Sequence, residues 1–375
     1  MSLKSSFNQH LIQKYPGLDP QQLDLLVSEN LLSPFQVTLN SSFIASIKNE
    51  IEGYWKLRSW SEKNLASTYE SMGLRKPNNF SACMSYDFHL NSNGKLELIE
   101  INTNAAFLGL GLELYSFLKL ENVDPEFDDK NLVEMFLNEI KLCQNSNSTE
   151  PSIAIFDENP EQQKLYIEFI IYQQIFKKHN VNSKILNQTD VNQLKQFSII
   201  YNRYTDFYLQ NEASKNIKEL FNSNQIQLSP HPWEYFLLAD KQRLIDWSLQ
   251  TACPKPASLL PVIDLAQAPR DEVWSQRKQL FFKPKTSFGG KQAYRGASIT
   301  RKAFDSIFHD DFMAQKISAP PEVDFIYKSE PIKFKYDLRC YAYQDQLQMV
   351  IARLYQGQTT NLGTPGGGFA AVIFN

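Results

Sequence analysis

Residues Ser81–Ala106 read SACMSYDFHLNSNGKLELIEINTNAA, and the fold is decided there. In Ala82–Leu90 the apolar Ala82, Met84, Tyr86, Phe88 and Leu90 alternate with Cys83, Ser85, Asp87 and His89. A period of two predicts a half-buried strand. A second strand is expected over Lys95–Asn102, after an Asn-Ser-Asn-Gly turn whose Asn93-Gly94 pair favours a tight type I′ hairpin. Closing that turn with Ser92 opposite Lys95 sets Asp87 opposite Glu100 and puts Asn102 on Glu100's face. Two opposed carboxylates destabilise a strand pair, and a hard cation between them relieves the repulsion. Asp87, Glu100 and the Asn102 carbonyl are oxygen ligands of the kind Mg²⁺ takes beside substrate phosphates. The competing reading is a solvated acidic face.

Bulk properties bound the rest. The chain has 375 residues, 42% apolar and 21% charged, with a net charge of −3. That length supports a large core built from two or three packed units. The charge gives no general attraction to nucleic acid or to an anionic membrane. No apolar run approaches a membrane span. The first residues lack the apolar core of a signal peptide, and the four cysteines form no C-x-x-C, so reduced thiols and a cytoplasmic location are expected.

Residues 1–80 carry apolar residues at three- and four-residue steps and are expected to be helical. Helices are also expected at Leu108–Lys119 and Leu132–Leu142. The polar stretch Cys143–Pro151 marks a boundary. Beyond it, strands at Ser152–Phe156, Ser183–Leu186 and Phe197–Tyr201 alternate with helix, which predicts a parallel, open α/β layer. No G-x-G-x-x-G opens that layer. After Pro230 come a helix at Asp240–Gln250, strands at Gln279–Lys283 and Phe312–Ile317, and a long antiparallel pair, Tyr336–Gln344 and Leu347–Gln356. The expected division is 1–80, 81–150, 151–229 and 230–375.

Four further groups of residues could carry chemistry. Lys283 ends an apolar strand and is followed by Ser287, Gly289, Gly290 and Lys291. Such a loop can wrap phosphate oxygens with backbone N–H groups, or it is a basic surface hairpin. Arg339 and Arg353 lie on adjacent strands and suit clamping an anion, or they make structural salt bridges. A tight turn between their strands puts them on opposite sheet faces; another loop reverses this. Asn361 leads into Gly366, Gly367 and Gly368, where a ligand could come close or where a tail simply ends. Asp240 and Lys241 open a helix that Asp240 can cap, and Gln315, Lys316 and Ile317 are either a hinge that reads an adenine edge or a buried strand end.

Taken together these segments resemble an ATP-grasp ligase of the ribosomal-protein-S6 glutamate ligase and glutathione synthetase kind. The order is similar to that family's: Asp240-Lys241, the strand Lys283 with its Gly-rich lid, the hinge Gln315–Ile317, Asp337-Leu-Arg339, Arg353, Asn361 and Gly366–Gly368. The metal pair expected last is met first, at Asp87 and Glu100-Ile-Asn102. The chain therefore resembles a circularly permuted member, as in glutathionylspermidine-synthase-like proteins, with Ser85 where those carry Arg and Lys316 where many relatives have Glu. The resemblance implies an α+β ATP-grasp fold with a Rossmann-like pre-ATP-grasp substrate domain and a helical N-terminal segment. It implies ATP and Mg²⁺ as cofactors, with small carboxylate and amine substrates. Lys241, Lys283, Ser287, Gly289, Gly290, Lys291, Gln315, Lys316 and Ile317 would bind ATP, and Asp87, Glu100 and Asn102 the metal. Arg339 and Arg353 would be catalytic, and Asn361 with Gly366–Gly368 the substrate and phosphate loop. The implied activity is ADP-forming carboxylate–amine ligation through an acyl phosphate. A phosphotransferase that stops after phosphoryl transfer, or a non-catalytic nucleotide-binding module, is the alternative.

Overall fold

The structure, a computed structural model, describes residues 2–120, 125–143, 150–286, 292–308, 310–357 and 363–375. The polar stretch expected as a boundary lies largely outside them. The strands are β1 (Val37–Leu39), β2 (Met84–Leu90), β3 (Leu96–Asn102), β4 (Ser152–Phe156), β5 (Asn182–Leu186), β6 (Ile199–Asn202), β7 (Leu228–Ser229) and β8 (Val262–Asp264). They continue with β9 (Leu280–Pro284), β10 (Tyr294–Arg295), β11 (Phe312–Lys316), β12 (Glu322–Tyr327), β13 (Glu330–Tyr343), β14 (Gln346–Tyr355) and β15 (Gly368–Phe374).

Three sheets result. The largest is seven-stranded, in the order β1-β15-β14-β13-β2-β3, with β12 on the free part of β13. A four-stranded antiparallel sheet has the order β10-β9-β11-β8, and a four-stranded parallel sheet the order β5-β4-β6-β7. The early hairpin β2–β3 thus joins strands from the end of the chain, because β2 pairs antiparallel with β13.

Apolar residues cover the large sheet on both faces. On one face, the helix Ser42–Asn64 sets Ile44, Ile47, Ile51, Tyr54 and Leu57 against Met84, Tyr86, Phe88, Leu338 and Cys340. On the other, helices Leu3–Lys14, Leu108–Phe117, Asp129–Leu142 and Tyr166–Lys178 share a core with Tyr341, Met349 and Ile351. This double cover changes the reading of β2. All seven of its residues are buried, Ser85, Asp87 and His89 included, so the alternation separates two interiors and not an inside from an outside. Residues 1–80 are helical as expected, except that they also supply β1, which runs parallel to β15. No helix among the described residues is long and apolar enough to cross a membrane.

Candidate active site

Two β-bulges aim the site. The β2–β3 turn is longer than the tight hairpin expected. Asn91 closes it, its side chain accepting from the N–H groups of Asn93 and Lys95, with Gly94 at φ +70°. Leu90 therefore faces Leu96, one residue out of the expected register. Ile99 then sits as an extra residue between the pairs Phe88–Leu98 and Asp87–Glu100, which restores Asp87 to its place opposite Glu100. The second bulge is Gln348, between Ala342–Leu347 and Tyr341–Met349. It brings Arg353 opposite Asp337, on the same face as Arg339. The opposite-face arrangement implied by an unbroken register is corrected by that one inserted residue.

Arg339 lies directly across from Asp87, 252 residues away in sequence. Its Nε and Nη2 donate to Asp87 Oδ1 and Oδ2 at 3.0 and 2.7 Å. Arg353 Nη2 donates to the same Oδ2 at 2.8 Å, while its Nε and Nη2 reach Asp337 at 2.6 and 3.0 Å. Ser85 Oγ adds a bond to Asp87 Oδ1 at 3.1 Å. The chain Arg339–Asp87–Arg353–Asp337 alternates in sign and balances its charge. Burial alone would push the Asp87 carboxyl up, but the two guanidiniums outweigh it and hold it at about 2. Buried pairs of this kind tolerate the interior because each charge keeps its partner.

Glu100 and Asn102 flank this chain. Asn102 Nδ2 lies 3.3 Å from Glu100 Oε1 and 3.4 Å from Asp87 Oδ2. Lys283 arrives from β9 in the neighbouring sheet. Its Nζ donates to the carbonyl of the bulged Ile99 at 2.9 Å and to Gln315 Oε1 at 2.8 Å. The Gln315 amide donates to Leu98 O at 3.1 Å, so Lys283 and Gln315 together tie the antiparallel sheet to β3. Burial pushes the Lys283 ammonium down to about 8, with Glu100 opposing the shift. Lys241 is also buried and lowered by burial, again against Glu100. With Glu100, Asn102, Thr103, Asn104, Phe207 and Tyr235 it lines a small cleft.

Other expected residues are placed differently. The helix Gln242–Leu249 begins two residues later than expected. Lys241 is its N-cap residue; Asp240, one residue further out, accepts from Gln242 N at 2.9 Å and also accepts from Tyr208. Ile317 gives its N–H to Gln279 O at 2.8 Å and Lys316 gives its own to Pro261 O at 2.9 Å, so those two hinge donors are spent within the protein. The glycines serve the fold. A side chain on Gly367 would come within 2.6 Å of Leu354 O, and one on Gly368 within 2.6 Å of Asn30 O. Gly366, at φ +76°, packs near Tyr327 and Phe334. Their close approach to their own chain gives these glycines a structural role. Ser287, Gly289, Gly290, Lys291 and Asn361 lie outside the described residues.

Sequence reasoning missed the Ile99 carbonyl, which no side-chain pattern marks, and His89. His89 shares Asp87's face by strand alternation, and its Nδ1 lies 3.1 Å from Ser318 O beside the hinge. It also missed Arg203, treated below.

No protein-family model matches the chain, and no curated protein matches it by sequence. Among solved structures it is similar to a glutathione synthetase-like effector from Globodera pallida in its apo form. That likeness has a TM-score of 0.54 at 11% identity and covers 92% of this chain and 90% of the other. A structure provisionally named a gamma-glutamylcysteine synthetase, from Methylobacillus flagellatus KT, aligns at a TM-score of 0.42 and 10% identity. It covers 86% of this chain and 85% of that one, and is too distant to carry weight. The fold is therefore glutathione synthetase-like.

Proposed function

We propose that the chain is an ATP-dependent, ADP-forming ligase that joins a carboxylate to an amine through an acyl phosphate. One observation carries this reading. Asp87, Glu100, Lys283, Arg339 and Arg353 come from separate segments and meet at the junction of two sheets, with cations and carboxylates interleaved. A glutathione synthetase-like fold supports it. In this reading β2 and β3 are the last segment of an ATP-grasp core moved to the front of the chain.

The donor set bears on the metal. Among the described residues, no three His, Cys, Asp or Glu side chains gather where they could hold an ion. Glu100 and the Asn102 carbonyl remain available, while both Asp87 oxygens are claimed by guanidiniums. This set does not suit a resident metal. It suits Mg²⁺ that arrives on nucleotide phosphates, since Mg²⁺ takes one or two carboxylates and draws its remaining ligands from phosphate and water. When bound, the ion would neutralise phosphate charge.

The chain's own residues would do the following. Lys283 and Lys241 present ammonium groups to the phosphates. As phosphate oxygens reach Arg339 and Arg353, the guanidiniums exchange Asp87 for phosphate and free the carboxylate. The carboxylate substrate attacks the γ-phosphorus, and ADP leaves. Arg339 and Arg353 then stabilise charge on the transferring phosphoryl. The amine attacks the acyl carbon, phosphate departs with the C–O electron pair, and the amine proton passes to solvent or phosphate.

The self-satisfied state of Asp87 also favours a second reading, a nucleotide-binding module without turnover. One experiment separates them. ADP release is followed against a matrix of amino acids, small peptides and polyamines, with product masses recorded. The ligase reading requires ADP release that depends on both a carboxylate and an amine, and an amide product. ADP without amine dependence would indicate a phosphotransferase, and nucleotide binding without ADP a binding module.

A further inference from the structure

The parallel sheet β5-β4-β6-β7 reverses its strand order between β4 and β6, since the chain leaves β4 for β5 on one side and returns to β6 on the other. Small ligands bind open α/β sheets in the crevice beyond the carboxyl ends of the strands at such a point. Here Phe156-Asp157 ends β4 and Asn202-Arg203 ends β6, joined by a bond from Arg203 N to Phe156 O at 2.8 Å.

Arg203 is held there from one side only. Its Nη1 donates to the carbonyl of Asn104 and to Tyr201 Oη, the latter at 3.2 Å. The guanidinium carbon lies 5.5 Å from the centre of the Tyr201 ring and 5.9 Å from that of Phe169. The opposite edge is different. Nε is enclosed and has no hydrogen-bond partner, and among the described residues no bond to Nη2 is formed and no carboxylate lies within 4 Å. Nη2 is not among the enclosed atoms, and the residue keeps part of its surface, so this edge meets the surface at Nη2 with Nε behind it.

Arg339 and Arg353 show what such an edge does. Both use Nε and Nη2 together on a carboxylate, Asp87 in one case and Asp337 in the other. The two parallel N–H groups match carboxylate geometry. On Arg203 the same pair has nothing to bind. An enclosed N–H without an acceptor is costly, and a guanidinium whose other edge is already anchored loses little freedom in taking a ligand.

The acidic groups near it do not fill the fork. Glu168 interacts with the guanidinium through its field, but its Oε1 accepts from Gly109 N at 3.2 Å and its Oε2 is unpartnered. Asp157 accepts from Glu158 N at 2.6 Å, and burial pushes its carboxyl up to about 6, with Arg203 opposing. Tyr201, Tyr172 and Cys83 complete the titratable surroundings. The neighbourhood balances charge at a distance and leaves both donors without an acceptor.

We propose that the Nε/Nη2 edge of Arg203 is a carboxylate receptor, anchoring the carboxylate of a small substrate at the carboxyl ends of β4 and β6. Asn104, which holds the other edge, lies two residues beyond Asn102 and lines the same cleft as Glu100 and Lys241. Naming the ligand a substrate rests on the ligase reading; the receptor itself does not.

The test is calorimetric titration without nucleotide, using glycine, L-glutamate and glycylglycine, each against the analogue with its α-carboxylate converted to a carboxamide. The wild-type protein should prefer at least one acid over its amide by about tenfold or more, the scale of a charge-assisted pair. Arg203→Gln should erase that preference. Arg203→Lys, which keeps charge without the fork, should retain only part of it. Tyr201→Phe removes an Nη1 partner and should preserve it. Circular dichroism first establishes that each variant is folded, and if Arg203→Gln does not fold, Arg203→Lys decides. No acid preference in the wild type, or an undiminished one in the Arg203 variants, overturns the receptor. Acid preference without ADP release in any substrate combination would keep the receptor and remove the ligase.

Discussion

Two buried carboxylates meet β13 four residues apart, at Arg339 and Tyr343, and are held by different means. Asp87 meets the strand at Arg339, and two guanidiniums hold it charged. Glu139 meets it at Tyr343 and has only neutral donors: Tyr343 Oη at 2.7 Å, Ser229 Oγ at 2.9 Å, Asn79 Nδ2 at 3.0 Å and the backbone N–H of Phe80. Burial pushes Glu139 up to about 7 despite those bonds. Depth is the same and the charge state is not. Neutral donors satisfy a carboxylate's geometry, while nearby positive charge is needed to keep it ionised. The first arrangement can be exchanged for an incoming anion. The second joins the helix Asp129–Leu142, the segment Asn79–Phe80 ahead of β2, the end of β7 and the end of β13, and is a structural hub.

The comparison can be broken at several points. The largest expected effect is on turnover. Glu100→Gln should abolish Mg-ATP-dependent ADP release and leave the fold intact, and full activity in that variant would sink the role of the hairpin. Next comes stability at the charged end. Asp87→Asn leaves two buried guanidiniums short of a partner and should cost about 3–5 kcal/mol in denaturant unfolding. A loss under ~1 kcal/mol would mean Arg339 and Arg353 re-pair elsewhere.

A pH profile sharpens the contrast further. Lys283 loses its proton as pH rises through about 8, so kcat/KM for ATP should fall above that value. Lys283→Arg should move the fall out of the accessible range, and an unchanged profile would clear Lys283 of phosphate binding. The smallest effect is at the hub. Glu139 is raised in the fold from an ordinary 4.5 to about 7, so it holds more protons folded than unfolded between those values. Its contribution to stability is complete below pH 4.5 and is lost as pH rises through 7. Glu139→Gln should flatten that part of the stability profile, which melts at pH 5 and pH 8 will show.

Much of this was legible in the residues, and the limits have definite causes. Alternation located β2, helical spacing located the helices of residues 1–80, and the strand–helix repeat located the parallel layer. The residue types Asp, Glu, Lys and Arg marked the charged cluster. Alternation could not show that both faces of β2 are interior, because a charged residue buried against a partner from another segment looks the same as one facing water. Arg203 was invisible for a related reason. Its isolation is a fact about neighbours, and Tyr201, Asn104 and Phe169 reach it from three separate elements.

The sequence by itself determined which residues can bear charge and that Asp87 and Glu100 lie on paired strands. The tertiary structure decided which way they point. Ile99 and Gln348 each insert one residue into a ladder, and one residue turns every later side chain to the other face. Such an insertion is settled by what the whole strand packs against on both sides, and the adjoining residues alone do not encode it. The meeting of Asp87 with Glu100 depends on the first insertion, that with Arg353 on the second, and that with Arg339 on β2 pairing with a strand from the far end of the chain.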